Sequence, residues 1–289
     1  MTLVIEEPHA LRAACDAYRQ QQLTVGFVPT MGALHAGHMS LVDAARAAGA
    51  QRIVVSIFVN RLQFGPNEDF ARYPRTFDGD RALCAERGVD LVYAPSSEVM
   101  YPAGFQTHVE VEELTQRLEG ASRPTHFRGV TTVVQKLWNA VGPCISCFGR
   151  KDYQQWRVLD RMARDLDMPV RVIGCPIARD HDGLALSSRN RYLDPDQRLR
   201  ALALHAGLVA ADRAYRAGER GAAGLEALAR TPVERAADAI DYVTLVDAET
   251  LAPCGASLER PAVLLIAARI GTTRLIDNAV LGQDVLKSV

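Results

Sequence analysis

The chain carries no excess of either charge: Lys and Arg total 33 against 34 Asp and Glu. This balance supplies no chain-wide attraction to nucleic acid or to an anionic membrane, leaving only local patches. Long hydrophobic runs are also missing, and no stretch approaches the roughly 18 apolar residues of a membrane span. A secretory leader is not expected, because MTLVIEEPHALRAACDAYRQ carries Glu6 and Glu7 and lacks a basic start followed by an apolar core. Cysteine is sparse, with six in 289 residues, at Cys15, Cys84, Cys144, Cys147, Cys175 and Cys254. Thiols scattered in this way read as reduced rather than as a disulfide framework. The expectation is a soluble cytoplasmic protein.

What is present is alternation. Apolar runs of strand type take turns with segments of helical period: LTVGFV, HMSLVDAARAAG, RIVVSIFVN, FDGDRALCAERG and VDLVYAP. TTVVQKLWNAV and YQQWRVLDRMARDLD then read as helices, and CISCFG and VRVIGCPI as strands. Such alternation specifies parallel strands covered by helices, an α/β doubly wound, Rossmann-like sheet. Beyond Ile177 the texture changes to an Ala-, Arg- and Leu-rich helical region from about Asp194 to Ala239, followed by the strands DYVTLVD and AVLLIAARI of a separate small sheet. Two domains are expected, 1–176 and a smaller α+β domain over 177–289, with the boundary near Pro176. GERGAAGLEALARTPVERAADA keeps helical spacing and mixed charge, so it reads as a solvated helix rather than low complexity.

The stretch VPTMGALHAGHMSLV places His35 and His38 between the strand LTVGFV and the following helix. Metal ligands, core residues and a phosphate site are the three readings. Two histidines make only half a zinc site, and no Cys or carboxylate stands nearby at ligand spacing. A capping histidine with a core partner is the plain structural alternative. A glycine-bearing turn at the carboxyl end of a strand favours the anion site. Ligands bind at that end of α/β sheets, Gly32 and Gly37 admit close approach, and unpaired amides and the dipole of a helix start attract an anion.

HAGH resembles the HxGH signature of the nucleotidyltransferase superfamily that includes the class I aminoacyl-tRNA synthetases. The longer words VPTMGALHAGHMSLV, SIFVNRLQFGPNEDFARYPRT, RPTHFRGVTTVVQKL, CFGRKDYQQ, DGLALSSRNRYL and ARIGTTRLIDN resemble, in family order across residues 28–278, the pantothenate synthetase (pantoate–β-alanine ligase) family. The resemblance implies two half-reactions. The carboxylate of (R)-pantoate attacks the α-phosphorus of ATP, giving pantoyl adenylate and pyrophosphate. The amine of β-alanine then attacks the acyl carbon and releases AMP. It further implies ATP with Mg2+, a homodimer formed through the N-terminal domain, and a C-terminal domain acting as a lid over ATP.

Chemistry of this kind needs positioned donors more than nucleophiles. By resemblance His38 is the proton donor; an imidazolium donating to a phosphate oxygen and plain electrostatic stabilisation explain it equally well. His35 and Lys151 join it as catalytic candidates. The ATP set implied runs over Met31, Gly32, Ala33, Leu34, His35, Ala36, Gly37 and His38, then Gly149, Arg150, Lys151 and Asp152, then Ala178, Leu186, Ser187, Ser188 and Arg189. Lys151 offers a point charge for phosphate, and Ser187, Ser188 and Arg189 suit the β- and γ-phosphates; SSRN is equally an ordinary helix-capping turn. By resemblance Gln63 contacts both pantoate and β-alanine and Gln155 holds pantoate, and Asn60 is a further candidate; neutral amides suit this, holding hydroxyl and carboxylate oxygens without quenching a nucleophile. Taken alone, each Gln is also an ordinary exposed polar residue.

Arg123, His126 and Arg128 form a basic cluster that faces either substrate or solvent. Asp80, ahead of Asp78, is the candidate magnesium ligand. The family has Glu where this chain has Arg150, Pro at Arg61 and Met at Leu186. Cys144 and Cys147 match C-x-x-C, but a strand end is the wrong setting for a redox pair and no second C-x-x-C completes a zinc site. Two other functions stay open: a nucleotidyltransferase that stops at a dinucleotide, and a non-catalytic nucleotide-binding protein.

Overall fold

A computed structural model describes residues 2–66 and 68–286. The chain divides into two units: the first runs to Arg150 and resumes over Gln154–Cys175, and the second comprises Lys151–Tyr153 with Pro176 onward.

In the first unit β1 (Leu3–Ile5), β2 (Val25–Thr30), β3 (Arg52–Ile57), β4 (Leu91–Tyr93), β5 (Cys144–Gly149) and β6 (Val170–Cys175) form one parallel sheet of order β1-β4-β3-β2-β5-β6. Its main helices are α1 (Pro8–Gln20), α2 (Ala36–Ala47), α3 (Phe77–Glu86), the short α4 (Ser97–Met100) and α5 (Glu119–Ser122), α6 (His126–Val141) and α7 (Tyr153–Asp165). Strand alternation divides the core. Phe27, Val54, Leu91 and Tyr93 pack with Leu11 of α1, Val134 and Trp138 of α6 and Met162 of α7. Val28, Val55 and Val92 pack on the other face with Met39 and Val42 of α2 and Cys84 of α3. A sheet buried on both faces requires these near-continuous apolar strands. The chain leaves β2 toward β3 and β4 in one direction and reaches β5 and β6 in the other, so the order reverses between β2 and β5. That crevice, at the carboxyl ends of the strands, is where such sheets bind ligands.

β1 and α1 extend the sheet ahead of LTVGFV, where the sequence pattern begins. Cys144 and Cys147, an odd number of residues apart on β5, face opposite sides of the sheet. Cys144 packs with Cys15 in one core and Cys147 with Cys175 in the other. The C-x-x-C therefore shares neither a metal nor a disulfide, and burial pushes the Cys144 thiol up to about 12.

In the second unit α8 (Pro195–Arg216) and α9 (Ala222–Ala236) pack on an antiparallel sheet of β7 (Ala239–Asp247), β8 (Ala262–Ile270) and β9 (Thr273–Val280). Leu225, Ala229 and Val233 bury one face of α9, so that helix is anchored rather than solvated all round. β9, legible in sequence only as the family word ARIGTTRLIDN, pairs with β8 through a two-residue turn at Gly271, φ +58°. None of the helices of the described residues is long and apolar enough to cross a membrane.

One close approach shapes the site. A Cβ on Gly129 of α6 would lie 2.3 Å from the Leu62 carbonyl oxygen in a short 3-10 turn, Arg61–Gln63. Gly129→Ala must push the two backbones apart. It is expected to cost about 1–3 kcal/mol, the usual range for overpacking, read from the shift in urea midpoint.

Candidate active site

The turn between β2 and α2 is held by side chains of its own and by one carboxylate from α3. Gly32 (φ +81°) and Ala33 (φ +51°) take left-handed conformations, which costs a non-glycine residue about 1–3 kcal/mol unless the surroundings hold it. The holder is Asp80, on the first turn of α3 and buried. Its Oδ2 accepts from the Ala33 amide at 2.9 Å and its Oδ1 from the Leu34 amide at 2.8 Å and the Thr76 hydroxyl at 3.1 Å. Thr30 Oγ1 accepts from the Gly32 amide at 3.1 Å and donates to the Ser56 carbonyl at 2.6 Å. Asp80 is thus the brace of the turn. With both oxygens taken by main-chain and hydroxyl donors, it does not fit the magnesium-ligand role expected of it. Among the described residues, Asp180, His181 and Asp182 bring potential ligand atoms within 4.8 Å of one another. Arg198 bridges the two carboxylates at 2.7 Å each, so a guanidinium already supplies the positive charge there.

His35 caps α2, its Nδ1 accepting from the Gly37 amide at 3.1 Å, and His38 Nδ1 accepts from the His35 amide at 3.3 Å. The rings lie 4.1 Å apart. Most main-chain amides of the turn are already paired: those of Gly32, Ala33, Leu34, His35 and Gly37 all donate within the protein. The capping alternative and the anion site prove compatible. An imidazole that accepts at Nδ1 carries its proton on Nε2 when neutral. Each neutral ring then carries its N–H on Nε2, and the imidazolium form considered for His38 would set an Nδ1–H against the His35 amide.

Asn60 and Gln63 sit at the carboxyl end of β3, in the 3-10 turn. Asn60, almost fully buried, donates to the Gly129 carbonyl and to Gln63 Oε1, both at 3.0 Å, and its Oδ1 accepts from the Leu62 amide at 3.3 Å and the Tyr101 hydroxyl at 2.7 Å. Gln63 Nε2 donates to Met31 Sδ at 3.0 Å. The structure thereby joins Met31, Asn60 and Gln63, and adds Tyr101, which carries no signal in the sequence beyond an aromatic residue before a proline.

The basic cluster divides. Arg123 makes a two-pronged ion pair with Glu68, both contacts at 2.6 Å, and donates to the Gln63 carbonyl at 3.2 Å. His126 Nδ1 lies 2.8 Å from the same carbonyl, which can only accept, so Nδ1 carries the proton and Nε2 accepts from Arg123 at 3.2 Å. Burial, helped by the Arg123 charge, pushes His126 down from 6.5 to about 4. These two residues position the main chain of Gln63 rather than facing solvent. Arg128 is exposed on α6.

Gly149 ends β5 at the switch point, and a Cβ there would meet open space. In the DYQQ word the two glutamines differ. Gln154 is buried, donating to the Leu114 and Arg117 carbonyls and accepting from the Glu119 amide, whereas Gln155 is half-buried. In the second unit the Lys151 carbonyl accepts from Asn278 Nδ2 at 2.8 Å and Tyr153 donates to the Ala248 carbonyl at 2.9 Å. Ala178 and Leu186 pair, the Leu186 amide donating to the Ala178 carbonyl at 2.9 Å. Arg179 beside them forms a buried two-pronged pair with Asp277 at 2.6 and 2.9 Å. Ser187 caps the 3-10 turn Ser188–Tyr192, accepting from the Arg189 amide at 3.3 Å. The capping alternative for SSRN thus holds for Ser187.

A parallel sheet whose switch-point turn offers imidazole donors at a helix start defines a nucleotide-binding α/β enzyme. The family model described as pantoate-beta-alanine ligase matches residues 3–280. Pantothenate synthetase 1 of Bradyrhizobium diazoefficiens is 52% identical over 96% of this chain and 98% of its own length. Pantothenate synthetase of Moorella thermoacetica is 53% identical over 94% and 96%. Among solved structures, pantothenate synthetase of Thermus thermophilus superposes with TM-score 0.90 at 45% identity, covering 96% of this chain and 99% of that one. The Francisella tularensis ligase, complexed with beta-gamma ATP and β-alanine, gives 0.77 at 30% identity, covering 98% and 99%. The chain belongs to the pantoate–β-alanine ligase family, and is a ligase that condenses pantoate with β-alanine using ATP.

Asp80→Asn replaces one acceptor with an NH2 that opposes a main-chain amide. It is expected to cost about 1.5–3 kcal/mol, the range for a hydrogen bond to a charged group, and to weaken ATP binding; urea unfolding and nucleotide titration check both. For His126, the unfolded chain takes up a proton near pH 6.5 and the folded chain only near pH 4. Protons therefore favour unfolding in that window, and stability should fall as pH drops through it. Urea midpoints at pH 7 and pH 5 should differ less in His126→Asn, which keeps a donor toward Gln63 but does not titrate.

Proposed function

We propose that the condensation proceeds through pantoyl adenylate. A pantoate carboxylate oxygen attacks the α-phosphorus of ATP, the bond to the bridging oxygen breaks and pyrophosphate leaves. The neutral amine of β-alanine then attacks the acyl carbon, the acyl–oxygen bond to AMP breaks and the ammonium proton is lost to solvent. The observation that supports this reading is the β2–α2 turn at the switch point, where His35 and His38 each accept a main-chain amide at Nδ1 and so carry the proton of the neutral ring on Nε2. His35 and His38 stabilise the negative charge that grows on phosphate oxygens through Nε2–H, and Lys151, Ser187, Ser188 and Arg189 contact the phosphates, with Asp152 orienting Lys151 or a ribose hydroxyl. The main chain at Met31–His38, Gly149–Arg150, Ala178 and Leu186 borders the nucleotide.

Asn60, Gln63 and Gln155 hold the acid, and Gln63 also meets β-alanine. Uncharged donors bind the attacking carboxylate without pairing it into inertness. Magnesium accompanies ATP as its counter-ion. A homodimer through the first unit completes the reading, which sedimentation analysis tests. Family resemblance supports both of these last points.

AMP release assayed with each substrate omitted in turn tests the route: pyrophosphate should require pantoate alone, and AMP should require β-alanine as well. A stable nucleotide-linked product would sink the ligase route. His38→Ala should slow adenylate formation at least about a hundredfold, as for loss of one transition-state donor. His38→Gln, whose Nε2 reaches a similar place, should recover a measurable part of that loss if the role is donation without proton transfer. Equal rates for the two variants would instead favour proton transfer.

A further inference from the structure

A glutamine amide can face a substrate with either its oxygen or its nitrogen, and the two choices recognise opposite chemistry. At Gln63 the main chain makes the choice. The Gly129 carbonyl can only accept, so the nitrogen of Asn60 faces it at 3.0 Å; the Leu62 amide can only donate, so the oxygen of Asn60 faces that, at 3.3 Å. With Asn60 fixed in this way, its second N–H requires an acceptor and finds Gln63 Oε1 at 3.0 Å. The Gln63 nitrogen is consequently turned away from Asn60, toward Met31 Sδ at 3.0 Å. A thioether is a weak acceptor, so a substrate oxygen replaces it at a gain.

Tyr101 closes the chain. Its hydroxyl donates to Asn60 Oδ1 at 2.7 Å, shorter than the Leu62 contact, and its ring is held by Phe58 and Phe105, with centroids at 6.1 and 5.1 Å. Burial raises its ionisation well above neutral pH, so the hydroxyl stays a donor. Without it, the Asn60 oxygen keeps only the longer contact, and the amide that orients Gln63 loosens.

We propose that Tyr101, acting through Asn60, is a positioning residue that locks Gln63 as a donor-only contact for an acceptor oxygen of pantoate. This rests on the reading that Gln63 touches pantoate. A carboxylate at position 63 would still accept from Asn60 but would offer pantoate negative charge and no N–H.

The test is steady-state kinetics on the full chain, with pantoate and then ATP varied while the other two substrates are saturating. The variants are Tyr101→Phe, Gln63→Ala, the double variant and Gln63→Glu, each with a thermal melt. Tyr101→Phe is expected to raise the KM for pantoate about three- to tenfold, the scale of one net hydrogen bond, with the KM for ATP unchanged. In the Gln63→Ala background it should add nothing. A tyrosine with only a structural role would impose the same loss in both backgrounds. That result, or a Tyr101→Phe enzyme identical to the wild type, overturns the proposal. Gln63→Glu should bind pantoate no better than Gln63→Ala, and wild-type affinity in Gln63→Glu would overturn the donor-only assignment even if Tyr101→Phe failed to fold. A Gln63→Ala enzyme with unchanged pantoate KM would instead overturn the reading that Gln63 contacts pantoate.

Discussion

Two oxygens of one buried carboxylate hold the Ala33 and Leu34 amides, and the turn between β2 and α2 depends on that clamp. The turn runs through two consecutive left-handed residues, a conformation that relaxes unless it is anchored. Asp80 supplies the anchor from a different helix, so the packing of α3 on the sheet governs where His35 and His38 begin α2. Once the turn is fixed, the two imidazoles satisfy each other's neighbouring amides. An acceptor nitrogen spent on the main chain puts the proton of each neutral ring on Nε2.

The polar wall around Asn60 and Gln63 follows a related logic with neutral groups. Asn60, Gln63, Tyr101 and an uncharged His126 form a connected set of hydrogen bonds in which every polarity traces back to a main-chain carbonyl or amide. Arg123, which reaches the Gln63 carbonyl, is paired with Glu68. The close approach of α6 at Gly129 makes the wall possible, since it brings a carbonyl within reach of Asn60.

Much of the fold was legible in order. Alternating apolar runs such as RIVVSIFVN and helical segments such as TTVVQKLWNAV state their periods locally, and a doubly wound sheet is what such an alternation must build. The three-residue β1 was not legible, because so short a strand carries no period; nor was β9, whose mixture of Arg, Asp and Asn masks the alternation. At the site, the residue types were readable but their partners were not. Asp80 looked like a metal ligand because a carboxylate near a phosphate site has that use by composition alone. The Cys144–Cys147 pair looked like a motif until strand pleating put the two thiols on opposite faces.

By itself, then, the sequence determined which segments are strands and helices, the presence of a histidine-bearing turn at a strand end, and the family whose words it carries, since all three reside in local spacing. Only the tertiary structure decided what each polar group does. Asp80 and Leu34 are 46 residues apart, Tyr101 and Asn60 are 41, and His126 and Gln63 are 63. The direction of a hydrogen bond, and hence whether Gln63 gives or receives, belongs to pairs that no local pattern records.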